Sequence, residues 1–266
     1  MTSKTAVGLV AFTACLALSG ARSAGADNTS CENAILIVPD GSAHAGTINA
    51  GGERRWFKFV NKANRSYSVE IENLSAPDVA SEANMGDSHA GSCAAVQFGG
   101  TIPRSFAEPA TKDAAFAGGD REVIQPPSPG LPGDLFFSVS QNVGGEFRVR
   151  VEETTLYSPG WSTRLGAVTY WAIQNTINEP LFGTLVLFNA AGSIVLKVDL
   201  PPTAPFNIPA GGSYTTDTQS LGVATNQSGS AVFFHNGPPG AVQIQAEIRR
   251  LQVVDPVSFQ AKSQIR

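Results

Sequence analysis

Apolar and polar residues alternate with a period of two along much of this chain, the signature of strands with one buried face. In 53–60 the rings of Phe57 and Phe59 share a face while Lys58 points away. Tyr67, Val69 and Ile71 alternate with Ser68, Glu70 and Glu72, and Phe147, Val149 and Val151 alternate with Glu146, Arg148, Arg150 and Glu152. Leu135, Phe137 and Val139 repeat the pattern. These segments are expected as half-buried antiparallel strands with a polar outer face. Further strands are expected at 167–175, 183–188, 194–198, 230–235 and 242–249. Turn signals at Asn189-Ala190-Ala191-Gly192, Pro201-Pro202, Pro209-Ala210-Gly211-Gly212 and Gly237-Pro238-Pro239-Gly240 separate them. Short strands broken at about ten-residue intervals point to an immunoglobulin-like sandwich. Between Leu74 and Asp134 the alternation weakens. Only 94–98 and 123–124 read as extended there, amid Pro103, Pro109, Pro126, Pro127, Pro129 and Pro132. That stretch carries no convergent acid, base or metal set, so it reads as a surface excursion rather than a lid.

Composition supports the same class. With 27 Gly and 17 Pro in 266 residues, 42% apolar and only 15% charged, the chain is a folded one with many turns and few helices. The expected fold class is all-β, two antiparallel β-sandwich domains, the second immunoglobulin-like, after a signal peptide. Residues 1–26 carry Lys4, an apolar run from Ala6 to Leu18, and the small residues Ala24-Gly25-Ala26. These are the three parts of an export signal, with cleavage expected after Ala26 or alternatively after Ala24. The apolar run makes about 20 Å of helix, too short for a hydrocarbon core of about 30 Å, and no longer run follows. The alternative is lipidation at Cys15, since Phe12-Thr13-Ala14-Cys15 is similar to a lipobox. The expected location is secreted, periplasmic or cell-surface, with no transmembrane segment in the mature chain.

Export places cysteines where they oxidise. With Cys15 removed, Cys31 and Cys93 remain and are expected to pair in a disulfide. A metal pair or a catalytic thiol are the competing readings. There is no CxxC spacing, and His44, His89 and His235 do not fall at ligand intervals, so no metal and no cofactor are expected. The charge shifts along the chain, from net −7 over 27–153 to +1 over 154–266. The step falls at Thr154 to Trp161, where the alternation stops at Ser158-Pro159-Gly160, and this stretch is expected as a stiff linker. The expected organisation is a signal peptide over 1–26, sandwiches over 27–155 and 156–254, and a frayed tail over 255–266. An acidic chain of net charge −4 is a poor partner for nucleic acid.

The first half resembles the bacterial pre-peptidase C-terminal domain family. The residues that carry the likeness are Asp27-Asn28 with Cys31-Glu32-Asn33-Ala34, Gly46-Thr47-Ile48, Arg55-Trp56-Phe57-Lys58-Phe59 and Tyr67-Ser68-Val69-Glu70. Pro132-Gly133-Asp134-Leu135-Phe136-Phe137-Ser138-Val139 followed by Gly145-Glu146-Phe147-Arg148-Val149 is similar to its closing hairpin. The resemblance implies a jelly-roll-like sandwich that accompanies secreted hydrolases and in some cases binds polymers or aids secretion. Some relatives bind calcium, but no calcium motif matches here residue by residue. The second half resembles a bacterial extracellular sandwich module, through 188–195 and through Ile208-Pro209-Ala210-Gly211-Gly212-Ser213-Tyr214. Such modules occur in surface and stalk proteins.

Candidate chemistry is sparse. Gly86-Asp87-Ser88-His89 invites comparison with an esterase start, but the βα layer and the distal Asp-x-x-His that such an enzyme needs are missing. Glu70 with Glu72 and Glu152 with Glu153 are carboxylate pairs on a solvent face and at a strand end, poor places to raise a general acid's pKa. His235, at a strand end, reads as a hydrogen-bonded turn residue. No catalytic residue is assigned. Trp161, Tyr170 and Trp171 are the candidate ligand platform, with core filling as the alternative use of the tryptophans. The function expected is a secreted, non-catalytic binding or surface-structural protein, with polysaccharide, extracellular matrix or an envelope protein as partner. Alternatives are a carbohydrate- or polymer-binding accessory module of a hydrolase system, or an extracellular hydrolase with an unrecognised site.

Overall fold

The computed structural model describes residues 28–76, 78–79, 81–86, 114–116, 118–124, 132–202, 207–250 and 261–265. The expected signal peptide, Cys15, Cys93 and the 94–98 segment lie outside the described residues. The fold is all-β. Strands up to residue 153 build two sheets, and strands from residue 156 onward build two more.

In the first half the strands are β1 (Ile35–Leu36), β2 (Asp40–Ile48), β3 (Arg54–Asn61), β4 (Tyr67–Asn73), β5 (Ser81–Gly86), β6 (Ala114–Phe116), β7 (Arg121–Ile124), β8 (Gly133–Gln141) and β9 (Gly145–Glu153). One sheet runs β1-β3-β8-β5-β6 and the other β2-β9-β4-β7. All pairs are antiparallel except β1 with β3. The alternating apolar residues meet between the sheets, with Phe57 opposite Phe137 in one and Val69 and Ile71 opposite Val151 and Val149 in the other. Phe57 stacks on Phe137 at 5.4 Å between centroids and meets Phe147 edge-on at 6.0 Å. Each buried ring of this size contributes about 2–3 kcal/mol of transfer free energy.

Two features depart from simple alternation. β8 is central in its sheet and is buried on both faces, so Phe136, Ser138 and Ser140 are as sheltered as Phe137. Beside β3, the Asn28 carbonyl accepts the Trp56 N–H at 2.8 Å and the Asn28 side-chain amide donates to the Trp56 carbonyl at 3.1 Å. β2, by contrast, shows no apolar alternation because its residues are small. Gly46 lies directly opposite Phe147, and a Cβ built there would meet the Phe147 ring at 2.3 Å. The glycine is what lets that ring lie flat across β2.

The second half holds β10 (Leu156–Ser162), β11 (Ala167–Asn175), β12 (Gly183–Asn189), β13 (Ile194–Leu200), β14 (Ser213–Asp217), β15 (Ser228–His235), β16 (Val242–Arg250) and β17 (Ala261–Ile265). The sheets are β10-β15-β12-β13 and β14-β11-β16-β17. The pairs β11–β14 and β12–β15 are those of strands B–E and C–F in an immunoglobulin sandwich. Here the first strand lies beside β15 and the seventh, β16, beside β11. Trp161, Trp171, Leu185, Leu187 and Phe233 fill the interior. Gly183 repeats the device of Gly46, since a Cβ there would meet the Phe233 ring at 2.0 Å.

Two expectations are corrected. Ser158-Pro159-Gly160 is no linker but part of β10, which pairs with β15 on either side of a bulge between Ser158 and Trp161. Proline lacks the N–H a ladder requires, and the bulge on an edge strand is where its absence costs least. The tail was expected to fray, yet 261–265 form β17, antiparallel to β16. Its short, mixed sequence offers no alternation, and pairing supplies the order.

Only Thr154 and Thr155 separate β9 from β10, and both are buried. The Thr154 N–H donates to the Ser66 carbonyl at 2.8 Å, and the Thr155 hydroxyl accepts the Ser66 N–H at 2.9 Å. The Arg65 guanidinium lies 4.7 Å from the centre of the Tyr157 ring and 3.3 Å from Glu153, to which Tyr157 also donates. The connection is therefore a clamped strand crossing rather than a tether.

Candidate functional site

The three aromatics singled out from the sequence part company. Successive residues of a strand face opposite sides, so Trp171 turns inward while Tyr170 turns outward. Trp161 and Trp171 are each 1% exposed. The Trp161 indole N–H donates to the carbonyls of Phe188 and Ser230, both at 3.0 Å. Both tryptophans fill the core, and Tyr170 alone of the three remains on the surface.

Around Tyr170 the sheet builds three rows on its outer face. Tyr170 sits between Asp217 of β14 and Glu247 of β16, Ala172 between Thr215 and Gln245, and Gln174 between Ser213 and Gln243. The first two rows, with Arg249 and with Ser220 from the turn after β14, line a groove of about 580 Å³. The small Ala172 side chain forms the low point between Thr215 and Gln245.

The charged groups of the groove are already engaged. Arg249 bonds Glu247 at 2.6 Å and lies over the Tyr170 ring at 5.3 Å, a cation–π contact. Burial alone would push the Asp217 carboxyl up, but hydrogen bonds from the Ser220 hydroxyl, the Ser220 N–H and the Gln219 N–H outweigh it. These bonds, 2.7, 2.9 and 2.7 Å long, hold Asp217 below the usual carboxylate range. Asp217 is thus an anion at neutral pH with no proton to give.

The outer face of β9 and β4 in the first sandwich is built differently. Glu70 pairs with Arg121 and Arg150, and Glu72 with Arg148, whose Nε lies 2.9 Å away. The Arg148 hydrogen bonds hold the Glu72 carboxyl below its ordinary value. The Glu70/Glu72 pair is therefore part of a salt-bridge ladder. Glu153 faces Arg65 and Tyr157, away from Glu152.

Other candidates are placed as follows. His235 is 3% exposed, and its Nδ1 accepts the Gly237 N–H at 3.0 Å. Burial pushes it down to about 4, opposed by a hydrogen bond with the Thr154 backbone. It is a neutral structural imidazole. Gly86 ends β5, and Asp87, Ser88 and His89 lie outside the described residues. Cys31 stands in a short turn before β1, half-buried. Among the described residues no three His, Cys, Asp or Glu side chains gather as a metal site, and no helix is long and apolar enough to cross a membrane.

No family model matches the chain, and no curated protein matches it in sequence. Among solved structures it is similar to the full extracellular region of zebrafish Gpr126/Adgrg6, at 10% identity and a TM-score of 0.25, over 82% of this chain and 37% of that one. It is also similar to a Bacteroides uniformis beta-glucuronidase, at 11% identity and a TM-score of 0.20, over 80% of this chain and 26% of that one. The chain thus spans between a quarter and two fifths of the length of these neighbours.

The groove residues other than Tyr170 escaped sequence reasoning. Asp217, Thr215 and Ser220 belong to β14 and its turn, which no alternation announces. Gln245, Glu247 and Arg249 were legible as the polar positions of an expected strand. Their convergence with Tyr170 depends on β11 pairing with β16, where Tyr170 meets Glu247, 77 residues further along the chain.

Proposed function

We propose that this chain is a secreted, non-catalytic binding protein, and that it binds through the groove on the outer face of β14, β11 and β16. The observation that carries the reading is a groove on a sheet face whose ionisable groups are already engaged by neighbouring groups. Asp217 is held as a capped anion and Glu247 is paired with Arg249. A hydrolase acting by acid–base catalysis needs a carboxyl raised toward neutral pH, whereas this groove lowers the one it shelters. Tyr170, with the Arg249 guanidinium over its ring, supplies the groove's aromatic wall.

Export belongs to the same reading. Residues 1–26 serve as the signal, the first sandwich is of the pre-peptidase C-terminal type, and Cys31 pairs with Cys93. In support, Cys93 is the partner left for Cys31 once the signal is removed. The test is capture of the mature protein on an array of polysaccharides, matrix proteins and envelope proteins, run beside a broad hydrolase screen. Capture without turnover is the expected result. Specific turnover abolished by a single substitution would overturn the non-catalytic assignment.

A further inference from the structure

From the open edge of the second sandwich we infer that two copies of this chain associate by pairing β13 with β13, antiparallel and centred on Val198. The surface is separate from the groove, which lies on the opposite sheet, and the inference does not depend on it. β13 ends its sheet, with β12 on one side and, among the described residues, no strand on the other. Its core-facing side chains show the lack of a neighbour: Leu196 and Val198 are only half-buried, whereas Leu187 and Leu185, their partners in β12, are fully buried.

The backbone fixes which residues would pair. At the hairpin the Asn189 N–H donates to the Ser193 carbonyl, and backbone groups alternate sides along a strand, so Leu187, Leu185 and Gly183 also direct theirs toward β13. Phe182 agrees, since both its backbone groups bond Asn236 on the β15 side. Leu196, Val198 and Leu200 therefore point back to β12, and Lys197 and Asp199 present their N–H and C=O groups to the open edge. The ladder with β12 is regular from Leu196 to Leu200. Before that stretch lies the bulge at Val195, and after it Pro201, which has no N–H to give. Such devices stop an edge from pairing without limit. Here they bracket a stretch whose midpoint is Val198.

A two-fold axis at Val198 sets Lys197 opposite Asp199 of the second copy, and Asp199 opposite its Lys197, each as a doubly hydrogen-bonded pair. Both side chains stand on the outer face, Lys197 over the Phe234 ring at 5.8 Å and Asp199 held by the Thr184 hydroxyl at 2.6 Å. Opposite charges directly across two strands stabilise a sheet and like charges destabilise it. An axis at Lys197 or at Asp199 would set two like charges face to face. Charge thus selects the register that the bulge and Pro201 bracket. The same patch serves both copies, so the contact closes as a dimer and does not propagate.

The experiment is sedimentation equilibrium of the mature full-length protein at concentrations up to about 1 mM. Lys197→Asp, Asp199→Lys and the double exchange carrying both are run alongside, with thermal melts to confirm that each is folded. Wild type should show a monomer–dimer equilibrium. Either single change turns two attractive pairs into two repulsive ones and should raise the dissociation constant about tenfold or more. The double exchange restores opposite charges across the axis and should bring association back toward wild type. Monomer at every concentration, a dimer indifferent to the single changes, or a double exchange as weak as the singles overturns the inference. Should a single change unfold the chain, Val198→Cys decides in its place. The two copies of residue 198 would lie about 4.5 Å apart between Cα atoms, as in any closely spaced antiparallel pair, within reach of a disulfide. A cross-linked dimer under mild oxidation supports the pairing, and its absence overturns it.

Discussion

Acidification should weaken this protein through one buried imidazole. His235 is driven down to about 4 in the folded chain, chiefly by burial, against an ordinary value of about 6.5 when unfolded. The folded state therefore resists protonation that the unfolded state accepts. Between those two values the unfolded chain holds the extra proton, so stability is full above about pH 6.5 and is lost as pH falls toward 4. From the two values the loss is about 2 kcal/mol at pH 5 and about 3 kcal/mol at pH 4, relative to neutral pH. The geometry agrees with the sign: Nδ1 already accepts the Gly237 N–H, so a proton there sets two donors against each other. Carboxylates also titrate at low pH, and a variant isolates the imidazole. His235→Asn retains a short acceptor for Gly237 and cannot charge. Urea unfolding of both proteins from pH 4 to 7.5 should show wild type the more stable at neutral pH, with the gap narrowing by about 2 kcal/mol at pH 5. A gap that stays constant across this range would refute the argument, and so would an NMR titration placing His235 near 6.5.

Three further outcomes follow from packing. Gly46→Ala and Gly183→Ala each drive a methyl group into a buried phenylalanine ring and should cost about 1–3 kcal/mol in denaturant unfolding; unchanged midpoints would show that the rings can move aside. Thr155→Val removes the acceptor for the buried Ser66 N–H and should cost about 1–3 kcal/mol; hydrogen exchange should show amides 154–158 protected in wild type, and rapid exchange there would restore the picture of a loose linker. The proposed Cys31–Cys93 bond would close a 62-residue loop, which the chain-entropy model values at about 4 kcal/mol; non-reducing mass spectrometry that finds two free thiols would remove the bond from the account.

The strands whose faces differ in polarity were legible without coordinates. In β3, β4, β9, β11 and β16 one row meets water and the other meets the core, and that difference must be written into the residues themselves. β2 was illegible for the opposite reason: its inward position is a glycine because the Phe147 ring comes from elsewhere and occupies the space. Pro159 signalled a break that the neighbouring β15 tolerates as a bulge. β17 carries no pattern and is ordered by the edge it joins. The same division holds for the groove. Local sequence determines that Tyr170 and Trp171 face opposite ways, but not which of them faces water, because alternation is symmetric between the two faces. That choice is made by the opposite sheet, whose Leu185, Leu187 and Phe233 enclose Trp171 and so leave Tyr170 outside. What brings Asp217, Gln245 and Glu247 beside it is strand register, set by contacts between distant segments and therefore decided only when the tertiary structure forms.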